Sequence, residues 1–192
     1  RSFTTISEQF KDRPQELSEL MNNFLTPLTK IIQRHRGTID KYMGDCVMAF
    51  WGAPVETPNH AALAVKAAME MARAIHEVNA EHAARGLPEI GIGIGINPGT
   101  LCVGDWGSDI RRSYTVIGDA VNLGARLESL NKAYKTRIII SDATRARLTG
   151  TYDIRPLGEV VVKGKTRQVA IFEIHVPSPM PVSAPDPLKA TL

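Results

Sequence analysis

The chain has only two cysteines in 192 residues, Cys46 and Cys102, with no Cys-x-x-Cys spacing and no histidine cluster beside either. That excludes a disulfide-stapled scaffold and a thiolate zinc site. Their strand-like apolar surroundings predict buried free thiols in a reducing compartment, a disulfide being the alternative. Long apolar runs are missing too. No stretch approaches the roughly eighteen residues that a membrane span needs, and no signal-peptide pattern opens the chain. A soluble, cytoplasmic piece with no direct membrane contact is expected. There is no basic run either: 23 Lys and Arg are interspersed with 20 Asp and Glu for a net charge of +3, so nucleic-acid binding gets no support. An initiator methionine is lacking, and the opening at Arg1 reads as a loop leading into a helix. We therefore expect a fragment of a longer parent, with an upstream regulatory or sensor module. Internal repeats are absent.

At this length and with 43% hydrophobic residues, one well-buried domain is expected. Pro14 in a first turn, followed by Leu17, Leu20, Met21, Phe24, Leu25, Leu28, Ile31 and Ile32, predicts a long core-facing helix that Gly37 ends. Pro27 should kink it or remove one hydrogen bond. Residues 38–51 read as a hairpin turning at Gly44, with Asp45 at its tip. A second helix is predicted from an Asn59 N-cap to Arg85, stopped by Gly86 and Pro88. In residues 89–97 isoleucine alternates with glycine, predicting a strand whose bare face admits something close. Those glycines lie inside a strand, which is not the setting of a dinucleotide fingerprint.

A strand at 101–104, a polar loop at 105–113, a helix to about Lys132, a strand at 137–141, a short helix capped by Asp142 and running to Leu148, and a closing hairpin at 160–176 follow. Helices mixed with hairpins indicate an α+β fold with a mostly antiparallel sheet. Residues 177–192, rich in proline, read as a disordered tail.

Two polar clusters stand out in this apolar frame. In Thr115-Val116-Ile117-Gly118-Asp119-Ala120-Val121-Asn122-Leu123-Gly124-Ala125-Arg126, an amide and a guanidinium stand four residues apart on one helix face. Upstream, Lys41-Tyr42-Met43-Gly44-Asp45 supplies a lysine and a carboxylate, the latter readable as a turn-capping aspartate or as a cation ligand. A carboxylate for a metal and cations for phosphate charge together point to a nucleotide.

With Arg1-Ser2-Phe3-Thr4 and Val162-Lys163-Gly164-Lys165, these runs resemble the catalytic domain of class III nucleotidyl cyclases, the adenylate and guanylate cyclase family, over residues 1–176. The resemblance implies a ferredoxin-like α+β core. It also implies conversion of a nucleoside triphosphate to its 3′,5′-cyclic monophosphate and pyrophosphate by in-line attack of the ribose 3′-oxygen, assisted by two Mg²⁺ or Mn²⁺ ions. Asp45 matches one metal carboxylate; the family's other lies two residues before Arg1, outside this chain, so this piece alone is expected to hold metal weakly. Ser2, Phe3 and Thr4 correspond to the phosphate loop. Lys163, with Lys165 as the alternative, matches the triphosphate lysine. Asn122 resembles the ribose-positioning residue and Arg126 the one that meets α-phosphate charge.

Lys41 and Thr115 resemble the adenine-reading pair of a bacterial-type adenylate cyclase subclass, so ATP is the expected substrate. The family's site lies between two subunits, which implies a head-to-tail homodimer. A non-catalytic nucleotide-binding dimerisation module and a guanylate cyclase are the alternatives. The Gly-Gly-acid-Glu-Phe signature of diguanylate cyclases is absent.

Overall fold

The computed structural model describes residues 3–161 and 168–177. The apolar repeat after Pro14 forms α2 (Pro14–Arg34), buried along Leu20, Phe24, Leu28, Ile31 and Ile32. The helix runs through Pro27, which has no N–H to donate and so removes one rung of its ladder. Ahead of it, where a loop is expected from sequence, the chain forms a further helix, α1 (Phe3–Gln9). Ile6 and, one turn on, Phe10 bury there against the α2 core, giving the segment a reason to coil that polar neighbours conceal.

The predicted hairpin is β1 (Thr38–Met43) with β2 (Cys46–Phe50), turning at Gly44 and Asp45, with Gly44 at φ 62°. A positive φ at the first turn position is what a tight two-residue hairpin asks of its sequence. Helix α3 (His60–Ala84) begins after Asn59 as predicted, but the Asn59 side chain caps nothing. Its alanine-rich face, with Ala67, Ala68 and Ala72 fully buried, lets α2 and α3 lie close together. Arg34 and His35 at the end of α2 both reach Glu70 of α3, the His35 Nε2 at 2.7 Å.

The isoleucine and glycine alternation yields a much shorter strand than predicted, β3 (Ile94–Ile96). Its ladder partner β6 matches only these three residues. Ile90 is held instead by the Asn79 side chain of α3, which accepts from its N–H at 2.8 Å and donates to its carbonyl at 2.9 Å. Conversely, the predicted polar loop is mostly strand: β4 (Cys102–Gly107) and β5 (Arg112–Ile117) form a ribbon joined by four residues. A ribbon exposed along much of its length shows no inside–outside alternation, so periodicity misses it.

Helix α4 (Asp119–Tyr134) is followed by β6 (Ile138–Ser141), α5 (Asp142–Arg145), β7 (Ile154–Val161) and β8 (Gln168–Ile174). The cap of α5 is Ser141, whose Oγ accepts from the Thr144 N–H, and not Asp142. The closing hairpin starts six residues earlier than its sequence pattern suggested.

The main sheet has the order β3-β6-β8-β7, parallel between β3 and β6 and antiparallel elsewhere. Its faces are read from β6: Ile138 and Ile140 join the core with α2 and α3, whereas Ile139 joins Leu123 and Leu127 of α4 on the opposite face. Buried on both sides, β6 is a continuous apolar run. The α+β class is as predicted.

The bare face of β3 seats α4. A Cβ built on Gly95 would lie 2.2 Å from the Gly124 carbonyl oxygen and 2.3 Å from the Glu128 nitrogen. Fully buried Asn131 locks the contact, its Nδ2 donating to the Ile94 carbonyl at 2.9 Å while its Oδ1 accepts from Thr136 Oγ1 at 2.9 Å.

Cys46 and Cys102 are free, as predicted, but exposed and not buried. Each stands at the first position of a two-stranded ribbon that has solvent on one side, so an apolar neighbourhood in sequence does not become burial in space. All but the first residue of the tail predicted at 177–192 lie outside the described residues, as do Ser2, Lys163 and Lys165.

Gly95→Ala should drive α4 off β3 and cost about 3 kcal/mol, at the upper end of overpacking penalties. Urea unfolding, with circular dichroism to confirm that helix content survives, checks this.

Candidate active site

The β1–β2 hairpin carries Lys41 on its strand and Asp45 at its tip. The Lys41 side chain is 46% exposed and Asp45 is half-buried. The neighbouring ribbon packs against this hairpin through β1 and β5, with the Phe50 and Tyr114 ring centroids 6.3 Å apart. Thr115, next to Tyr114 on β5, is buried at 9% exposure. The fold therefore brings the ribbons bearing Lys41 and Thr115 together, although the two residues are far apart in sequence.

Asn122 and Arg126 lie one turn apart on α4, both exposed. Among the described residues neither side chain makes a hydrogen bond or ion pair. Phe3 and Thr4 belong to α1. A cleft of about 410 Å³ opens at the start of α4, between Asn97, Thr100, Asp119 and Asp142, and none of Lys41, Asp45, Thr115, Asn122 or Arg126 lines it.

The field at the hairpin tip is negative. Partial burial pushes the Cys46 thiol above its ordinary range, and the carboxylates of Glu128 and Asp45 push it further. Only the carboxylate contribution favours a cation, since burial disfavours charge of either sign. Among the described residues no group of three or more His, Cys, Asp or Glu could hold a metal ion, and Asp45 belongs to no such group.

Two residues that sequence reasoning passed over matter here. Asn131 fixes α4, and the helical period alone carries no sign that its amide spans to β3. Asp40 has a side chain with no exposed surface, and neither carboxylate oxygen makes a hydrogen bond among the described residues. Lys41 Nζ lies 3.3 Å from its Oδ2, an ion pair whose angles fall short of a hydrogen bond. An acid beside a lysine in a strand ordinarily points to the other face, so nothing in the sequence pattern pairs them.

Comparison with known proteins extends the geometry. The family model described as the adenylate and guanylate cyclase catalytic domain matches residues 1–175. Adenylate cyclase 1 of Rhizobium meliloti (strain 1021) is 36% identical over 172 residues, covering 90% of this chain and 26% of that protein. An adenylate cyclase of Anabaena cylindrica is 35% identical over 181 residues, covering 91% of this chain and 35% of that one. The chain thus spans about a quarter to a third of the length of these relatives.

Among solved structures, the adenylyl cyclase CyaB from P. aeruginosa superposes with a TM-score of 0.81 at 34% identity, over 94% of this chain and 91% of that one. The guanylyl cyclase Cya2 gives 0.80 at 34%, over 95% and 90%. A model that spans nearly the whole chain and two solved cyclases that share its fold at a third of identical residues leave one conclusion: the chain belongs to the adenylate and guanylate cyclase catalytic-domain family.

Proposed function

We propose that the chain is the catalytic domain of an adenylate cyclase, turning ATP into 3′,5′-cyclic AMP and pyrophosphate at the interface of a homodimer. The observation that carries the reading is the division of the candidate residues. Lys41 and Thr115 sit on two ribbons that pack together, while the exposed side chains of Asn122 and Arg126 on α4 have no hydrogen-bond or ion-pair partner among the described residues. A two-fold dimer answers this by setting α4 of one protomer against the hairpin of its partner, making two equivalent sites. The β4–β5 ribbon supports such an interface, because Trp106, Ile110, Tyr114 and Ile117 are all exposed on it, Ile110 at 97%.

Within the site, base choice follows from donor and acceptor inventory. Adenine offers a donor at N6 and an acceptor at N1, whereas guanine reverses both. Lys41 only donates and Thr115 does either, which suits adenine. Asn122 holds the ribose, so that the 3′-oxygen faces the α-phosphorus. Arg126 meets the charge that grows on the α-phosphate as the bond to pyrophosphate breaks, an interaction strongest in the transition state. Ser2, Phe3, Thr4 and Lys163 take the triphosphate.

Hard divalent cations are usually held by one or two carboxylates plus substrate phosphates. Half-buried Asp45 in its negative surroundings fits as one such ligand, with an acid upstream of Arg1 as the second. Two Mg²⁺ or Mn²⁺ ions bound there would acidify the 3′-hydroxyl and neutralise phosphate charge. An upstream module in the parent would act by turning the protomers and opening or closing the shared site.

In the full-length parent chain with Mn²⁺, Arg126→Ala should lower kcat about 100-fold while the ATP KM changes less than about twofold. Pyrophosphate release measures both, and equal losses in kcat and KM would contradict the assigned role. Lys41→Glu combined with Thr115→Cys should shift preference from ATP toward GTP, read as the ratio of kcat/KM values. A parent chain that dimerises and binds ATP but releases no pyrophosphate would instead be a nucleotide-binding module.

A further inference from the structure

Asp40 is buried where no charge should be without cause. Its carboxylate has no exposed surface and no hydrogen-bond donor among the described residues. An isolated buried carboxylate is costly, and such groups are kept where a counter-charge stands beside them. The counter-charge here is the Lys41 ammonium, 3.3 Å from Oδ2.

Backbone geometry explains how neighbours in a strand meet. The ladder pairs Thr38 with Phe50 and Ile39 with Ala49, then slips, so that Lys41 faces Met48 and Asp40 is left as the extra residue of a bulge. Ile39, Val47 and Ala49 pack against the core shared with α2 and α3. Without the extra residue, Lys41 would follow Ile39 onto that core face by the two-residue period. The slip places it instead on the face of Met48 and Phe50, and the Phe50 ring meets Tyr114 of the ribbon that carries Thr115. Bulges beside active sites commonly re-aim a side chain in this way.

We infer that Asp40 is a positioning residue. Bulged out of the ladder, it holds the flexible Lys41 side chain from below, so that the ammonium is presented to the base beside Thr115 and ATP is chosen over GTP. This rests on Lys41 reading adenine, as proposed above. Lysine is a point charge on a four-carbon stem with many rotamers. A fixed anion at its root narrows them before substrate arrives, which strengthens binding without touching the reacting atoms.

The test uses the full-length parent chain as a dimer. Asp40→Asn keeps the shape and removes the charge. It should raise the KM for ATP about tenfold and lower the ATP-over-GTP ratio of kcat/KM by a similar factor, with kcat within about twofold, because only uniform binding is lost. Lys41→Met controls the underlying reading. If it leaves the ATP-over-GTP ratio intact, Lys41 does not read the base and the inference falls with it. If it abolishes selectivity while Asp40→Asn leaves selectivity unchanged, only the positioning role of Asp40 is overturned.

A readout independent of activity guards against an Asp40→Asn variant too unstable to assay. Lys41→Met strands the buried carboxylate and should lower the thermal midpoint by several degrees, on the order of what losing one buried partner costs a domain of this size. Adding Asp40→Asn to it should recover most of the loss. A Lys41→Met protein as stable as the parent would refute the pairing.

Discussion

The close approach of α4 to β3 is the contact on which the rest of the molecule turns. A helix can lie with its backbone against a strand only where the strand has no side chain, and Gly95 supplies that bare position. Asn131 then converts proximity into a fixed angle by bonding the strand's own carbonyl from inside the helix. Among the described residues the side chains of Asn122 and Arg126 make no hydrogen bond or ion pair that could orient them, so their direction is inherited from the seat of the helix. The exposed face that carries them is thus set by residues on the opposite side of α4, where Leu123 and Leu127 enter the core with Ile139.

Much of this could be read from the chain alone, for physical reasons. Helices α2 and α3 declare themselves because a core-facing helix needs apolar residues at a fixed period. The hairpin tip was legible from Gly44, since few residues accept a positive φ. The bare face of the isoleucine–glycine strand was legible too, although not the identity of the helix that fills it.

What escaped has one common origin, in that it depends on partners distant in sequence. The strand begins only at Ile94 because its ladder with β6 pairs three residues. The outer part of the β4–β5 ribbon, within residues 105–113, reads as a loop because backbone pairing needs no apolar pattern. Cys46 and Cys102 looked buried because their neighbours are apolar, yet a two-stranded ribbon offers little to be buried beneath. The bulge at Asp40 is invisible in principle, since register is a property of two strands. For the site, the residue types were recoverable by resemblance. Their distribution over two packed ribbons and the exposed face of α4 required coordinates.

The Asn79 side chain gives the ribbon-and-sheet frame an unusual joint. By engaging both backbone groups of Ile90, an amide on a helix does the work of a neighbouring strand. The segment leading into β3 is therefore ordered by α3 and not by the sheet it is about to enter. A slide of α3 along its axis would therefore pull on the segment that feeds the strand beneath α4, which couples the two helices across the sheet.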